Sequence, residues 1–429
     1  MPAYAEMGTE ELETLKHGLE REYAEIQAKG LSLNMARGKP GSDQLDLSMP
    51  LLTAVTTAED CRAEDGTDCR NYGVLDGLPE AKRFMAAMLD DEPENVIVGG
   101  NSSLSLMYEA VARCWNFGTL GSEPWCRLEQ VKWLCPVPGY DRHFGVTEAF
   151  GIQMIPVPMT EEGPDMDEVE RLVRDDASVK GIWCVPKYAN PNGVTYSDEV
   201  VRRLASMPCA AEDFRIFWDN AYCVHHLYDD VAEQDQLLDI GAACREAGNP
   251  HRPFKFASTS KVTHPGAGIS ALAASPENVA EIKKRLGVGT IGYDKINQLR
   301  HVRFLKDAEG LAAHMSKHAA ILRPKFELVL TKLDEGLSEV GGCSWSHPRG
   351  GYFVSFDAPE GTAKRIVQLA KEAGVTMTGA GATWPYKHDP HDSNIRIAPT
   401  LPPLDELDAA MDVFVCCAKL AYTEKLLQG

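Results

Sequence analysis

A chain of 429 residues is too long for one simple core, and two domains are expected. Apolar residues make up 44% and charged residues 25%, as in ordinary globular proteins, while a formal net charge of -20 argues against a non-specific nucleic-acid binder and against an anionic membrane surface. No apolar run approaches the length of a membrane helix, and the start, Met1-Pro2-Ala3-Tyr4-Ala5-Glu6, lacks the pattern of a signal peptide. The 12 cysteines are scattered without a Cys-x-x-Cys or metal-ligand spacing. Free thiols, a cytoplasmic location and no metal site are the expectation.

Residues 10–29 read as an amphipathic helix with Leu12, Leu15, Leu19, Tyr23 and Ile26 on one stripe, ended by Gly30. The turn-rich segment 33–41 contains Arg37-Gly38-Lys39 and is a candidate to pass near a site. Asn71-Tyr72-Gly73 leads to Pro79, a proline suited to a first helical turn, and that helix runs to about Leu89. Residues 95–98 form a strand ending in Gly99-Gly100-Asn101-Ser102-Ser103, which opens a helix through Ala112. Strand, glycine turn and helix N-terminus together make an anion site, and helix capping by Asn101 or Ser102 is compatible with it. Strands then alternate with helices. Strand 132–135 leads to Pro138-Gly139-Tyr140, and 153–157 is a further strand. Strand 181–185 leads to Asn190-Pro191-Asn192-Gly193. Strand 214–218 ends at Asp219-Asn220-Ala221-Tyr222. Strand 254–257 leads to Ser258-Thr259-Ser260-Lys261, and 269–273 is again a strand. His225-His226 reads as structural. The unusual residues all fall at strand C-terminal ends, which indicates an open α/β sheet with its ligand outside those ends. From about Tyr293 a long helical periodicity runs to Leu337, with Pro324 expected to kink or divide it. Strand 350–356, helix 362–373, strand 394–398 and helix 404–422 complete a smaller α+β part.

These strand ends carry complementary chemistry. A lysine among small hydroxyls can attack an aldehyde, and the hydroxyls can hold a phosphate. A poorly solvated Asp219 can pair with a pyridinium nitrogen. Tyr222 and Asn190 can donate to a ring oxygen, and Tyr140 offers a flat face for stacking.

In this order the motifs resemble the fold-type-I pyridoxal-phosphate enzymes, specifically the class I/II aminotransferases. The wording is closest to a divergent aspartate-aminotransferase-like branch related to MocR effector domains. The resemblance rests on Tyr72-Gly73…Gly77-Leu78-Pro79-Glu80, Gly99-Gly100-Asn101-Ser102, Pro138-Gly139-Tyr140, Asn190-Pro191-Asn192-Gly193, Asp219-Asn220-Ala221-Tyr222, Ser258-Thr259-Ser260-Lys261, Gly350-Gly351-Tyr352-Phe353 and Asn394-Ile395-Arg396-Ile397. It implies a mostly parallel open sheet in a large domain, residues 45–300. A smaller α+β domain would comprise 1–44 and 301–429. It implies pyridoxal 5'-phosphate in a Schiff base with Lys261, which also shuttles the proton. Asp219 would partner the pyridine nitrogen, Tyr222 and Asn190 the ring oxygen, and Tyr140 would stack on the ring. Gly100, Asn101, Ser102 and Ser258 would hold the phosphate, and Tyr72 would reach the phosphate of the neighbouring subunit in a homodimer. Arg396 would grip the substrate α-carboxylate.

One departure stands out. The family usually has an arginine eight residues after the lysine, where this chain has Ile269; Thr263 and His264 are the nearest alternatives in sequence. For a second substrate carboxylate the candidates are Arg37, Lys39, Lys187 and Lys295, with Gly38 beside the first of them. Tyr293 and Trp384 are candidates to shape the pocket. The expected reaction is transamination between an amino acid, aspartate first, and a 2-oxo acid such as 2-oxoglutarate. A lyase or decarboxylase on the same scaffold, or a MocR-like cofactor-binding regulatory module, stays open from the residues alone.

Overall fold

The computed structural model describes residues 4–428. Its main sheet has eight strands in the order Val96–Gly99, Ser270–Ala273, Pro253–Ser258, Arg215–Asp219, Val179–Cys184, Lys132–Val137, Gln153–Thr160 and Gly163–Pro164. The run from Pro253–Ser258 to Gln153–Thr160 is parallel. Ser270–Ala273 runs against both its neighbours, so Val96–Gly99 points the same way as the parallel strands. The central strands are buried along their whole length, as expected where helices cover both faces of a parallel sheet.

A second apolar core gathers the remaining elements. Ser344–Trp345, Val354–Asp357 and Asn394–Ile397 form an antiparallel sheet, in which Ser355 lies opposite Arg396. Leu33–Met35 pairs in parallel with Val375–Met377. The first helix, Thr9–Ala28, packs on the last, Leu404–Gln428. Tyr4 stacks on Tyr422 with ring centres 6.2 Å apart, and the Tyr23 hydroxyl donates to the Leu369 carbonyl at 2.8 Å.

The helical stretch expected to break at Pro324 does not break there. Helix Ala308–Leu337 passes through Pro324 and buries Leu322, Phe326, Val329, Leu333 and Leu337. The division comes earlier, after helix Lys295–Leu305. Lys306 adopts a positive φ of 64°, and the Asp307 side chain accepts from the Gly310 N–H, capping the long helix. A left-handed residue followed by an N-cap both stops one helix and starts the next, whereas the apolar stripe holds the turn around the proline together. The strand expected over 350–356 is shorter, Val354–Asp357, because Gly351 turns through a φ of 83°.

Candidate active site

The parallel strands deliver their C-terminal residues to one edge of the sheet. Ser102, Tyr140, Asn190, Asp219, Tyr222, Ser258, Ser260 and Lys261 line a cleft of about 110 Å³ there. Six of the predicted cofactor residues therefore converge with Lys261.

The Lys261 amine lies 4.9 Å from the Tyr222 ring centre and 5.9 Å from that of Tyr352. Burial lowers its pKa; nearby Asp219 opposes the shift and Arg396 adds to it. A lysine so placed gives up its proton more readily and becomes a nucleophile. Burial pushes the Tyr222 phenol well above its ordinary value, so it stays a hydrogen-bond donor.

Asp219 is 2% exposed. Its Oδ2 lies 2.9 Å from Nε2 of His143, which is also buried and stacks on Trp183 at 4.5 Å. Oδ1 of Asp219 is buried without a partner. A carboxylate oxygen left unpaired in the interior is costly, and a cationic ring N–H fits that position.

On the other side of the cleft, Arg396 is 7% exposed. Its Nη1 donates to Asp141 Oδ1 at 2.9 Å and to Asn190 Oδ1 at 3.2 Å, while Nε is buried and unpaired. Because Asn190 Oδ1 accepts from Arg396, its amide nitrogen is left to donate into the cleft. The guanidinium lies over the Phe353 ring, 4.8 Å from its centre. Gly38 packs on that same ring: a Cβ there would fall 2.4 Å from Phe353 Cζ. The loop around Gly38 is fixed at both ends, Thr378 donating to the Ala36 carbonyl at 2.6 Å and Thr400 to the Lys39 carbonyl at 2.9 Å. Arg37 and Lys39 between these ties are exposed.

Against known proteins, residues 7–429 match the family model described as aspartate amino-transferase. The aspartate aminotransferase of Corynebacterium glutamicum is 48% identical over 407 residues, 95% of this chain and 93% of its own. The crystal structure of an aspartate transaminase from that organism matches with a TM-score of 0.95 at 46% identity, covering 99% of each chain. The α-aminoadipate aminotransferase LysN of Thermus thermophilus, crystallised with N-(5'-phosphopyridoxyl)-L-leucine, shares the fold at a TM-score of 0.74 and 19% identity, each chain covered to 95%. The chain belongs to the aspartate aminotransferase family. It is a fold-type-I transaminase, a family that works with pyridoxal 5'-phosphate.

The residues of this transaminase fit that cofactor. A half-buried lysine, an unpaired buried carboxylate oxygen, two donors for a ring oxygen and a cup of hydroxyls face one cleft. The cup is Ser102, Ser258 and Ser260 at the N-terminus of helix Ser103–Phe117, with Ser258 donating to Ser260 and Ser260 to the Asn101 carbonyl. Ser102 caps that helix by accepting from the Leu104 N–H. Gly100 continues the strand into this turn, its carbonyl accepting from Ser270. Ile269 lies in the core, with N–H and carbonyl both tied to Thr259. Thr263 and His264 are turned to other partners, His301 and the Leu45 carbonyl. Helix-terminal N–H groups and hydroxyls are therefore what this cup offers a phosphate.

Five further candidates lie outside the lining of that cleft. Tyr72 is 84% exposed and does not line its own chain's cleft. Lys295 is buried and donates to the Gly73 carbonyl at 2.9 Å. Lys187 sits 5.7 Å from the Tyr188 ring centre, in the company of Cys223, Asp90 and Asp235. The Tyr293 hydroxyl points to Glu109, 3.4 Å away. Trp384 keeps a buried, unpaired indole N–H.

Sequence reasoning missed the groups behind the first rank of residues. His143 and Asp141 lie on helix Asp141–Ala149, which was not expected, although Tyr140-x-x-His143 has the spacing of one helical turn. His225, expected to be structural, supports the backbone of the lysine segment. Its Nε2 is 3.3 Å from the Lys261 carbonyl. His314 Nε2 holds the Val262 carbonyl at 2.8 Å, and Thr263 Oγ1 bonds His301 Nε2 at 2.9 Å. His318 joins this collar 3.1 Å from His314, its Nδ1 accepting from Gln44, which also donates to the Tyr352 hydroxyl. Three consecutive residues of the lysine segment are thus each held by a buried histidine. Burial lowers the pKa of all four, His301 and His318 to about 4.

Proposed function

We propose that this transaminase moves the amino group of aspartate to 2-oxoglutarate, with pyridoxal 5'-phosphate held at Lys261, in a cytoplasmic homodimer that shares its sites. Residues 45–300 would carry the cofactor, and 1–44 with 301–429 would form the smaller unit. The observation that carries the reading is the unpaired buried Asp219 Oδ1 in the cleft that Lys261 lines, with Arg396, its Nε also unpaired, bonded to the cleft residue Asn190. When bound, the cofactor supplies a carbonyl for the amine and a ring that accepts electrons from the substrate Cα.

The protein's part is positioning and proton transfer. Arg396 grips the α-carboxylate and fixes the rotation of the bonds at Cα. Lys261 Nζ is the base placed to take the proton from Cα and return it. His143 fixes the Asp219 carboxylate, and Tyr222 and Asn190 donate to the ring oxygen. Tyr140 covers one ring face, and Asn101 with the serine cup takes the phosphate. Tyr72, exposed on its own subunit, would complete the cup of the partner.

Aspartate is favoured by the names of the relatives and by one cation. Arg37 is exposed, its guanidinium makes no hydrogen bond or ion pair among the described residues, and it is held beside the Phe353 platform of Arg396 through Gly38. A second carboxylate needs such a partner. Comparing kcat/KM for aspartate, phenylalanine and alanine with 2-oxoglutarate tests the assignment. A tenfold preference for phenylalanine or alanine, about 1.4 kcal/mol, overturns it.

A further inference from the structure

Arg396 is not a free cation awaiting substrate. Its Nη1 is already bound to Asp141 at 2.9 Å and to Asn190 at 3.2 Å, and one face is covered by Phe353. Its buried Nε has no partner. Asp141 is the first residue of helix Asp141–Ala149, and its side chain is 36% exposed. The helix N-terminus stabilises its negative charge independently of Arg396. The carboxylate sits beside the anion subsite, bonded to Arg396 from the side, and does not need to leave when substrate arrives.

We propose that Asp141 moderates the anion subsite: it holds Arg396 from the side by a charged hydrogen bond and, by its own charge, weakens the grip on every incoming α-carboxylate. This rests on the role given to Arg396 in the proposed function. The same guanidinium then faces two carboxylates, one internal and permanent, one exchanged in each half-reaction. An aminotransferase binds and releases an α-carboxylate in each half-reaction, so a subsite of full strength would retain product. Two like charges a few ångströms apart at the edge of a protein repel enough to change affinity by about tenfold. That repulsion is felt equally by amino acid and oxo acid, since both carry the carboxylate at the same place.

The test is Asp141→Asn in the holoenzyme. The amide keeps an oxygen for Arg396 Nη1 and removes only the charge. KM for the amino donor and for 2-oxoglutarate should both fall by about tenfold, and succinate, which has carboxylates but neither amino nor oxo group, should inhibit about tenfold more tightly. Glu148→Gln removes the same charge from an exposed position on the same helix and should leave all three constants unchanged. Unchanged or raised constants in Asp141→Asn overturn the inference, as does an equal fall in Glu148→Gln. The donor used is whichever amino acid the wild type prefers. Failure of the aspartate assignment then shows in the wild type, and failure of this inference shows only in the variant.

Discussion

The histidine collar predicts a specific acid sensitivity. His301 donates from Nδ1 to the Asn297 carbonyl and accepts from Thr263 at Nε2; His318 accepts from Gln44 at Nδ1. Protonation turns the accepting nitrogen of His318 into a donor facing the Gln44 amide, and that of His301 into a donor that the Thr263 hydroxyl must turn to accept. Both groups are lowered from 6.5 to about 4 in the folded chain. An unfolded chain thus binds their protons first, so stability is full above pH 6.5 and is lost as pH falls from there towards 4. Between 6.5 and about pH 5 each histidine costs about 2 kcal/mol, at about 1.4 kcal/mol per unit, or about 4 kcal/mol for the two. That is a large share of the 5–15 kcal/mol typical of a folded protein. Asp90 and Asp357 act with the opposite sign, because desolvation raises their carboxyls. The assay is therefore a difference. Urea midpoints are measured at about pH 7.5 and 5, at one protein concentration, for wild type and for His301→Gln with His318→Gln. The wild type should lose about 4 kcal/mol more than the double variant over that interval, and each single variant should remove about half of the difference. Equal pH dependence of wild type and double variant would refute the account.

Lys261→Ala should abolish covalent attachment of the cofactor; borohydride reduction and peptide mass spectrometry should place the reduced pyridoxyl group on Lys261 in the wild type and on no lysine in the variant. His143→Leu leaves Asp219 without its buried partner, and kcat should drop at least tenfold with a loss of about 1–3 kcal/mol in stability, read from steady-state rates and thermal melts. Gly38→Ala drives a methyl into the Phe353 ring and through it displaces Arg396. KM for both substrates should rise by about tenfold or more, and Phe353→Leu in the same chain should restore part of the loss.

The sequence made the sheet legible because a buried parallel strand is a short apolar run, and the residues that follow it are the ones that differ from apolar. Asp219 after Phe214–Trp218 and Lys261 after the strand at 253–258 are of this kind. The supporting rank was hidden for the same reason in reverse. Helix Asp141–Ala149 is short and carries Gly145, so its weak periodicity concealed His143 and Asp141. His225 is distant in sequence from His301, His314 and His318, and they meet only in the fold, around the segment that carries Lys261. Lys295 looked like a substrate cation because charge alone does not say which carbonyl, here that of Gly73, has already claimed it.

The packing of the first helix on the last sets an order of assembly. Helix Thr9–Ala28 is made well before its main partner, Leu404–Gln428, and strand Leu33–Met35 must wait for Val375–Met377. The main sheet, whose strands lie between residues 96 and 273, can form while these early segments are still unpaired. The loop bearing Arg37 and Gly38 is therefore seated only after Thr378 and Thr400, the residues that tie it down, have been made.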